Sequence, residues 1–106
     1  MTIKEKQFSG VEHLYNSISE IVYKVKPAYY VSFGDFKRLY SKAGNALTDR
    51  EIKINMLYYW NKINTSEIAK RENISATRVA QILNIARWKL AKQINDLKEL
   101  EALHNE

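Results

Sequence analysis

The 106-residue chain contains no cysteine, which excludes disulfides and thiolate metal sites and fits a reducing compartment. Its two histidines, His13 and His104, are too far apart along the chain to form a metal-ligand spacing, so no metal is expected. One proline and three glycines leave little material for the turns of a hairpin-rich fold. No window approaches the roughly 18 apolar residues that a membrane span needs, and Met1 to Phe8 is charged, without the apolar centre of a signal peptide. A cytoplasmic protein with no membrane association is expected. The chain also lacks a P-loop, a glycine-rich fingerprint and any convergent set of nucleophile and base. Its nearest carboxylate pair, Asp49 with Glu51, is explained by the favourable helix dipole at the first turn of a capped helix. Catalysis is therefore not expected, and neither is a cofactor.

What is present suits one small packed domain: 45% of the residues are hydrophobic and 11% aromatic. The net charge of +5 favours polyanionic partners, and its location is more informative than its size. Between Lys62 and Gln93 stand seven basic residues, Lys62, Lys70, Arg71, Arg78, Arg87, Lys89 and Lys92, against Glu67 and Glu72. This stretch carries the whole surplus, and the remainder of the chain sums to neutral.

Apolar residues recur at spacings of three and four almost throughout, which predicts an all-α fold. Ser9 followed by Glu12 has the pattern of a capping box opening a first helix, with Val11, Leu14, Tyr15, Ile18, Ile21, Val22 and Val25 on one face and Pro27 ending it. A second helix is predicted after Ser32, carrying Phe33, Phe36, Leu39 and Tyr40 and stopping with Gly44 in the C′ position, where a left-handed conformation is common. Thr48 with Glu51 forms another capping box, opening a third helix whose Ile52, Met56, Tyr59 and Trp60 are expected to face the core, with Leu57 alongside, up to about Asn61. The layout divides into an N-terminal helical extension over 1–31 and a second part over 32–106. The latter ends in a long helix with Leu90, Ile94, Leu97 and Leu100 on one stripe, and acidic Glu99, Glu101 and Glu106 at a frayed end.

The segment from Thr65 to about Ala86 has the pattern of a helix-turn-helix. Thr65 or Ser66 can cap its first helix, Ile68 is apolar for burial, and Ala69 is small where a second helix would cross. Asn73 falls in the turn, where positive φ is needed and asparagine tolerates it. Ile74 plugs the corner, Ser75 caps the second helix, and Val79 and Ile82 turn inward. The helical period then leaves Ala76, Thr77, Ala80, Gln81 and Asn84 on the outer face, with Arg78 at its edge. Such a face fits the major groove of double-stranded DNA. The Gln81 amide can pair with adenine, Thr77 can hydrogen-bond or touch a thymine methyl, and the alanines permit close approach. Lys70, Arg78, Arg87 and Lys89 are the candidates for phosphates, which supply affinity without sequence information.

Three groups of residues carry a family resemblance: Leu47 to Glu51, Glu67 to Ala69, and Ile74 with Ser75 followed by Arg78 to Ile82 and Ala86 to Leu90. They resemble the fourth conserved region of sigma-70 family sigma factors, over roughly Phe33 to Leu90. The resemblance implies a helix-turn-helix on promoter DNA and docking on the β flap of RNA polymerase, by a free-standing region-4-like protein of bacterial or phage origin. Ala76, Thr77 and Ala80 depart from the charged groove-reading residues usual in that family, so the resemblance does not carry over a preference for the usual promoter hexamer; Gln81 follows the pattern. A weaker resemblance, to LuxR-type output domains, rests on the opening Leu47 to Glu51, Glu67 to Ala69 and Ile74 with Ser75. Two alternatives stand beside promoter binding. One is a protein-interaction module that holds a sigma factor, polymerase or anti-sigma partner without touching DNA. The other concerns assembly: the first helix and the C-terminal stripe could pack within the chain or form the seam of a homodimer.

Overall fold

A computed structural model describes residues 3–20 and 31–104. All of its regular elements are helical: α1 (Ile3–Ile18), α2 (Phe33–Ala43), α3 (Asp49–Asn55), α4 (Thr65–Glu72) and α5 (Ala76–His104). A 3-10 turn, Gly44–Ala46, follows α2, and a π turn, Met56–Trp60, follows α3. There is no strand among the described residues. The core is one cluster drawn from all five helices, including Leu14, Phe36, Ile54, Tyr59, Ile68, Val79 and Ile94.

The longest element, α5, has 29 residues, so the helix expected to enter DNA and the expected C-terminal helix are one continuous rod. Neither glycine nor proline interrupts its sequence, which is rich in Ala, Leu, Lys, Gln and Arg. Its inner stripe, Val79, Ile82, Leu83, Ala86, Leu90, Ala91 and Ile94, is buried. Helices α1, α2, α3 and α4 all pack against α5. Leu100 is exposed rather than continuing the stripe. Toward the acidic end, Arg38 on α2 donates to Glu101 at 2.7 Å, and Lys98 pairs with Asp35 at 3.1 Å. Glu106 lies outside the described residues.

Helix α1 starts at Ile3, so Ser9 is an interior position and the capping box expected there does not open the helix. Val11, Leu14 and Ile18 are buried as the spacing implied, inside the same core cluster as the other helices. Val11, Leu14 and Ile18 of this face are thus covered from within the chain. Expectations for Ile21, Val22, Val25 and Pro27 fall outside the described residues. Tyr15 donates its hydroxyl to Val31 O at 2.9 Å and packs on Phe33 and Phe36, which ties α1 to the start of α2.

Ser32 caps α2 as expected, its side chain accepting the Asp35 N–H at 3.2 Å. Gly44 does not take the left-handed conformation: at φ −58° it continues into the 3-10 turn. The Thr48–Glu51 capping box forms reciprocally. Beyond it, Ile52 and Met56 are 41% and 44% exposed, against the expectation that they face the core, while Ile54 and Asn55 are buried. The π turn is the cause. Asn61 N bonds Met56 O, a five-residue step, so the residues in register with buried Tyr59 and Trp60 are Ile54 and Asn55, five earlier. A 3.6-residue period points to the neighbouring positions instead.

Helix α1 approaches the π turn closely at Gly10. A Cβ placed there would stand 2.6–2.7 Å from three atoms of the Trp60 ring. Alanine at an interior helical position normally gains about 1 kcal/mol over glycine, but overpacking against a buried ring costs about 1–3 kcal/mol. Gly10→Ala should therefore lower the urea midpoint. Gly34→Ala, whose Cβ would meet only Ser32 Oγ at 4.0 Å, should leave it equal or higher. A raised midpoint in Gly10→Ala would contradict the close contact.

Candidate nucleic-acid interface

The site is built on the α4–α5 corner. Asn64, not Thr65 or Ser66, caps α4, its Oδ1 accepting the Glu67 N–H at 2.9 Å. The signal for it was present, since Asn64 stands three residues before Glu67, but two hydroxyl residues beside it fit the same pattern. Asn73 closes α4 in the left-handed conformation, φ 55° and ψ 46°, as expected. Ile74 N–H then returns to Ala69 O at 3.0 Å, and Ile74 is half-buried against the core. Ser75 Oγ accepts the Arg78 N–H at 3.0 Å and so caps α5. Ile68, Ala69, Val79 and Ile82 are buried between the two helices.

With that interior fixed, Ala76, Thr77, Ala80, Gln81 and Asn84 are all exposed and lie on one side of the first three turns of α5, with exposed Arg78 beside them. Ile85 extends the same side. It is 42% exposed and one turn beyond Gln81, a placement readable from the period but not assigned to the site from sequence. Lys70 is exposed on the last turn of α4. Arg71 pairs with Glu67 at 3.5 Å. Arg78 Nη1 stands 3.5 Å from Gln81 Oε1.

The other two candidate phosphate ligands turn into the fold. Lys89 Nζ donates to both carboxylate oxygens of Glu51, at 2.9 and 3.0 Å. Arg87 Nη1 donates to Tyr59 OH at 2.9 Å. These bonds brace α5 from behind, one against α3 and the other against the π turn. Glu51 was legible as a cap and Tyr59 as core, but pairings across 38 and 28 residues have no local signature. A further ion pair, Lys53 with Glu72 at 3.1 Å, joins α3 to α4.

Burial of Glu51 opposes its ionisation, but the Thr48 N–H and the Lys89 ammonium outweigh that effect and hold its carboxyl below the ordinary value of 4.5. The Asp35 carboxyl is likewise held low, chiefly by Arg38 and then Lys98.

On the side of the fold bearing Ile52 and Met56 lies an apolar groove of about 270 Å³. Leu14, Tyr40, Leu47, Trp60 and Leu90 line it together with those two residues. No group of three or more His, Cys, Asp or Glu side chains able to hold a metal occurs among the described residues. No helix among them is long and apolar enough to cross a membrane. No protein-family model, curated protein or solved structure matches this chain.

The depressed Glu51 carboxyl gives the brace a pH dependence. Its contribution is fully present above the unfolded value and is lost as pH falls through the lower folded value. The melting temperature should therefore decline with acidification in the window below about pH 4.5, and Glu51→Gln should flatten that part of the decline. An identical slope in the variant would show that the Glu51–Lys89 pair contributes nothing to acid stability.

Proposed function

We propose that this chain is a DNA-binding transcription regulator of the sigma region-4-like kind, which places the first turns of α5 in the major groove of promoter DNA and contacts RNA polymerase. The observation that carries this reading is the outer face of α5. Small and amide-bearing side chains, Ala76, Thr77, Ala80, Gln81 and Asn84, are exposed together on a helix whose opposite side is anchored to α4 by a left-handed turn. The two alanines let the helix sit deep, and the amides of Gln81 and Asn84 offer donors and acceptors to base edges. Lys70 and Arg78 flank this face and supply phosphate contacts, whereas Lys89 and Arg87 serve as braces.

The groove beside Ile52 and Met56 favours a second component. It is apolar and none of the outer-face residues of α5 lines it, so it suits a protein partner such as polymerase, a sigma factor or an anti-sigma protein. If this component acted alone, the chain would be an interaction module without DNA contact.

Selection of bound duplexes from a random pool at fixed near-physiological salt, with and without core RNA polymerase, tests both components. A motif recovered by the chain alone identifies an autonomous regulator. A motif that needs polymerase identifies a sigma-like subunit, and none under either condition leaves the interaction module. The two classes of cation separate on salt dependence. Lys70→Ala and Arg78→Ala should each weaken binding on every sequence and reduce the salt slope by about one unit. Lys89→Ala should lower thermal stability while leaving the slope unchanged, and a reduced slope in that variant would return Lys89 to the phosphate set.

A further inference from the structure

Arg78 and Gln81 form a pair on the exposed face of α5, three residues apart, with the Arg78 guanidinium 3.5 Å from the amide oxygen of Gln81. The backbone beneath them is fixed, because Ser75 Oγ holds the Arg78 N–H at 3.0 Å. We propose that Arg78 is a positioning residue that sets base preference through Gln81, turning its amide from an adenine reader into a guanine reader. This rests on the DNA-binding reading above and names the base that its site selects.

A free glutamine amide matches adenine because it offers both partners that the major-groove edge requires. Its oxygen accepts from N6 and its nitrogen donates to N7. In this chain the oxygen faces a permanently charged donor. Its second lone pair remains, but the adjacent guanidinium charge draws density from the oxygen and makes it a weaker acceptor for an adenine N6 amino group. The exposed chemistry is then the Gln81 Nε2 group beside a positive charge, an edge made of donors. Guanine presents two adjacent acceptors, O6 and N7, and complements that edge; cytosine presents an amino donor and adenine presents one of each. The remaining nitrogens of Arg78 can reach the adjacent phosphate at the rim of the groove, and a guanidinium so held keeps the Gln81 amide in a single orientation.

The test is duplex selection, with and without polymerase, by the wild-type chain, Gln81→Ala and Arg78→Met; the last keeps an aliphatic stem and removes the charge. The base pair whose preference relaxes in Gln81→Ala is the one that Gln81 reads. There the wild type should favour G·C over A·T by about tenfold, and Arg78→Met should shift the preference toward A·T as the amide oxygen is released. Replacing that guanine with 7-deazaguanine should weaken wild-type binding several-fold and leave Gln81→Ala unaffected. Base choice is read as the ratio of G·C to A·T binding within each variant, which separates it from any phosphate contact that Arg78→Met removes. An A·T preference in the wild type, a G·C preference that persists in Arg78→Met, or no relaxed position in Gln81→Ala would each overturn the inference while leaving DNA binding intact. Failure of the wild type to select any duplex, with or without polymerase, would remove the DNA-binding reading and this inference with it.

Discussion

One helix carries two obligations that its period keeps apart. The inner side of α5, from Val79 through Ile94, is the surface on which the other four helices pack. Its outer side, over the first three turns, is left to solvent by the same spacing. Because the rod is continuous over 29 residues, whatever fixes its buried stripe also aims its exposed N-terminal turns. The Arg38–Glu101 and Lys98–Asp35 contacts at the far end belong to that anchoring, as do the Glu51–Lys89 and Tyr59–Arg87 bonds near the middle. Exposed ion pairs such as those at the far end contribute little singly, about 0–1 kcal/mol, so the aim rests mainly on the apolar stripe. The half-buried Glu51–Lys89 pair has more consequence, because losing either partner leaves the other without its neutralising charge.

The basic segment between Lys62 and Gln93 accordingly divides into two kinds of charge. Lys89 is bonded to Glu51 and Arg87 to Tyr59. Lys92 pairs with Asp96 at 3.0 Å. Lys70 and Arg78 lie at the outer corner formed by the end of α4 and the start of α5. A local excess of positive charge is therefore an incomplete guide to where a polyanion would sit. Cations on the first turns of a helix that leads with its N-terminus are well placed for phosphates, and those two turns further along are within reach of the core.

Much of this architecture was legible because its signals are local. The caps at Ser32, Thr48 and Ser75 and the left-handed Asn73 each depend on side chains within three or four residues of the backbone groups they satisfy. The outer face of α5 was legible for a similar reason, since a helix anchored by Val79 and Ile82 leaves few choices for the remaining positions. What escaped was of two kinds. Competing local solutions hid the Asn64 cap among Thr65 and Ser66, and hid the true start of α1 behind the pattern at Ser9. Departures from regular period hid the rest: Gly44 stays right-handed because a 3-10 turn follows α2, and the π turn displaces the core positions of α3 by one residue.

The π turn at Met56–Trp60 stands between the two surfaces for which a function is proposed. With its five-residue step, Ile54 and Asn55 face inward together with Tyr59 and Trp60, and Glu51 lies one helical turn before Asn55 on the same side. Asn55 Nδ2 donates to Glu51 O at 2.7 Å, which fixes that side of α3, and the Glu51 carboxylate points where Lys89 of α5 can meet it. The same displacement turns Ile52 and Met56 outward, where they form a wall of the apolar groove. A regular α-helix through Trp60 would instead put Met56, four residues before Trp60, and Ile52, a further turn back, on the buried side in place of Ile54. The exposed apolar wall is thus a consequence of one local change in helical pitch, next to the turn of α3 that carries the Glu51 brace. An occupant of the groove would press on Leu90, which lines it and lies on the helix that Lys89 anchors, so the two surfaces are joined through adjacent residues of α5.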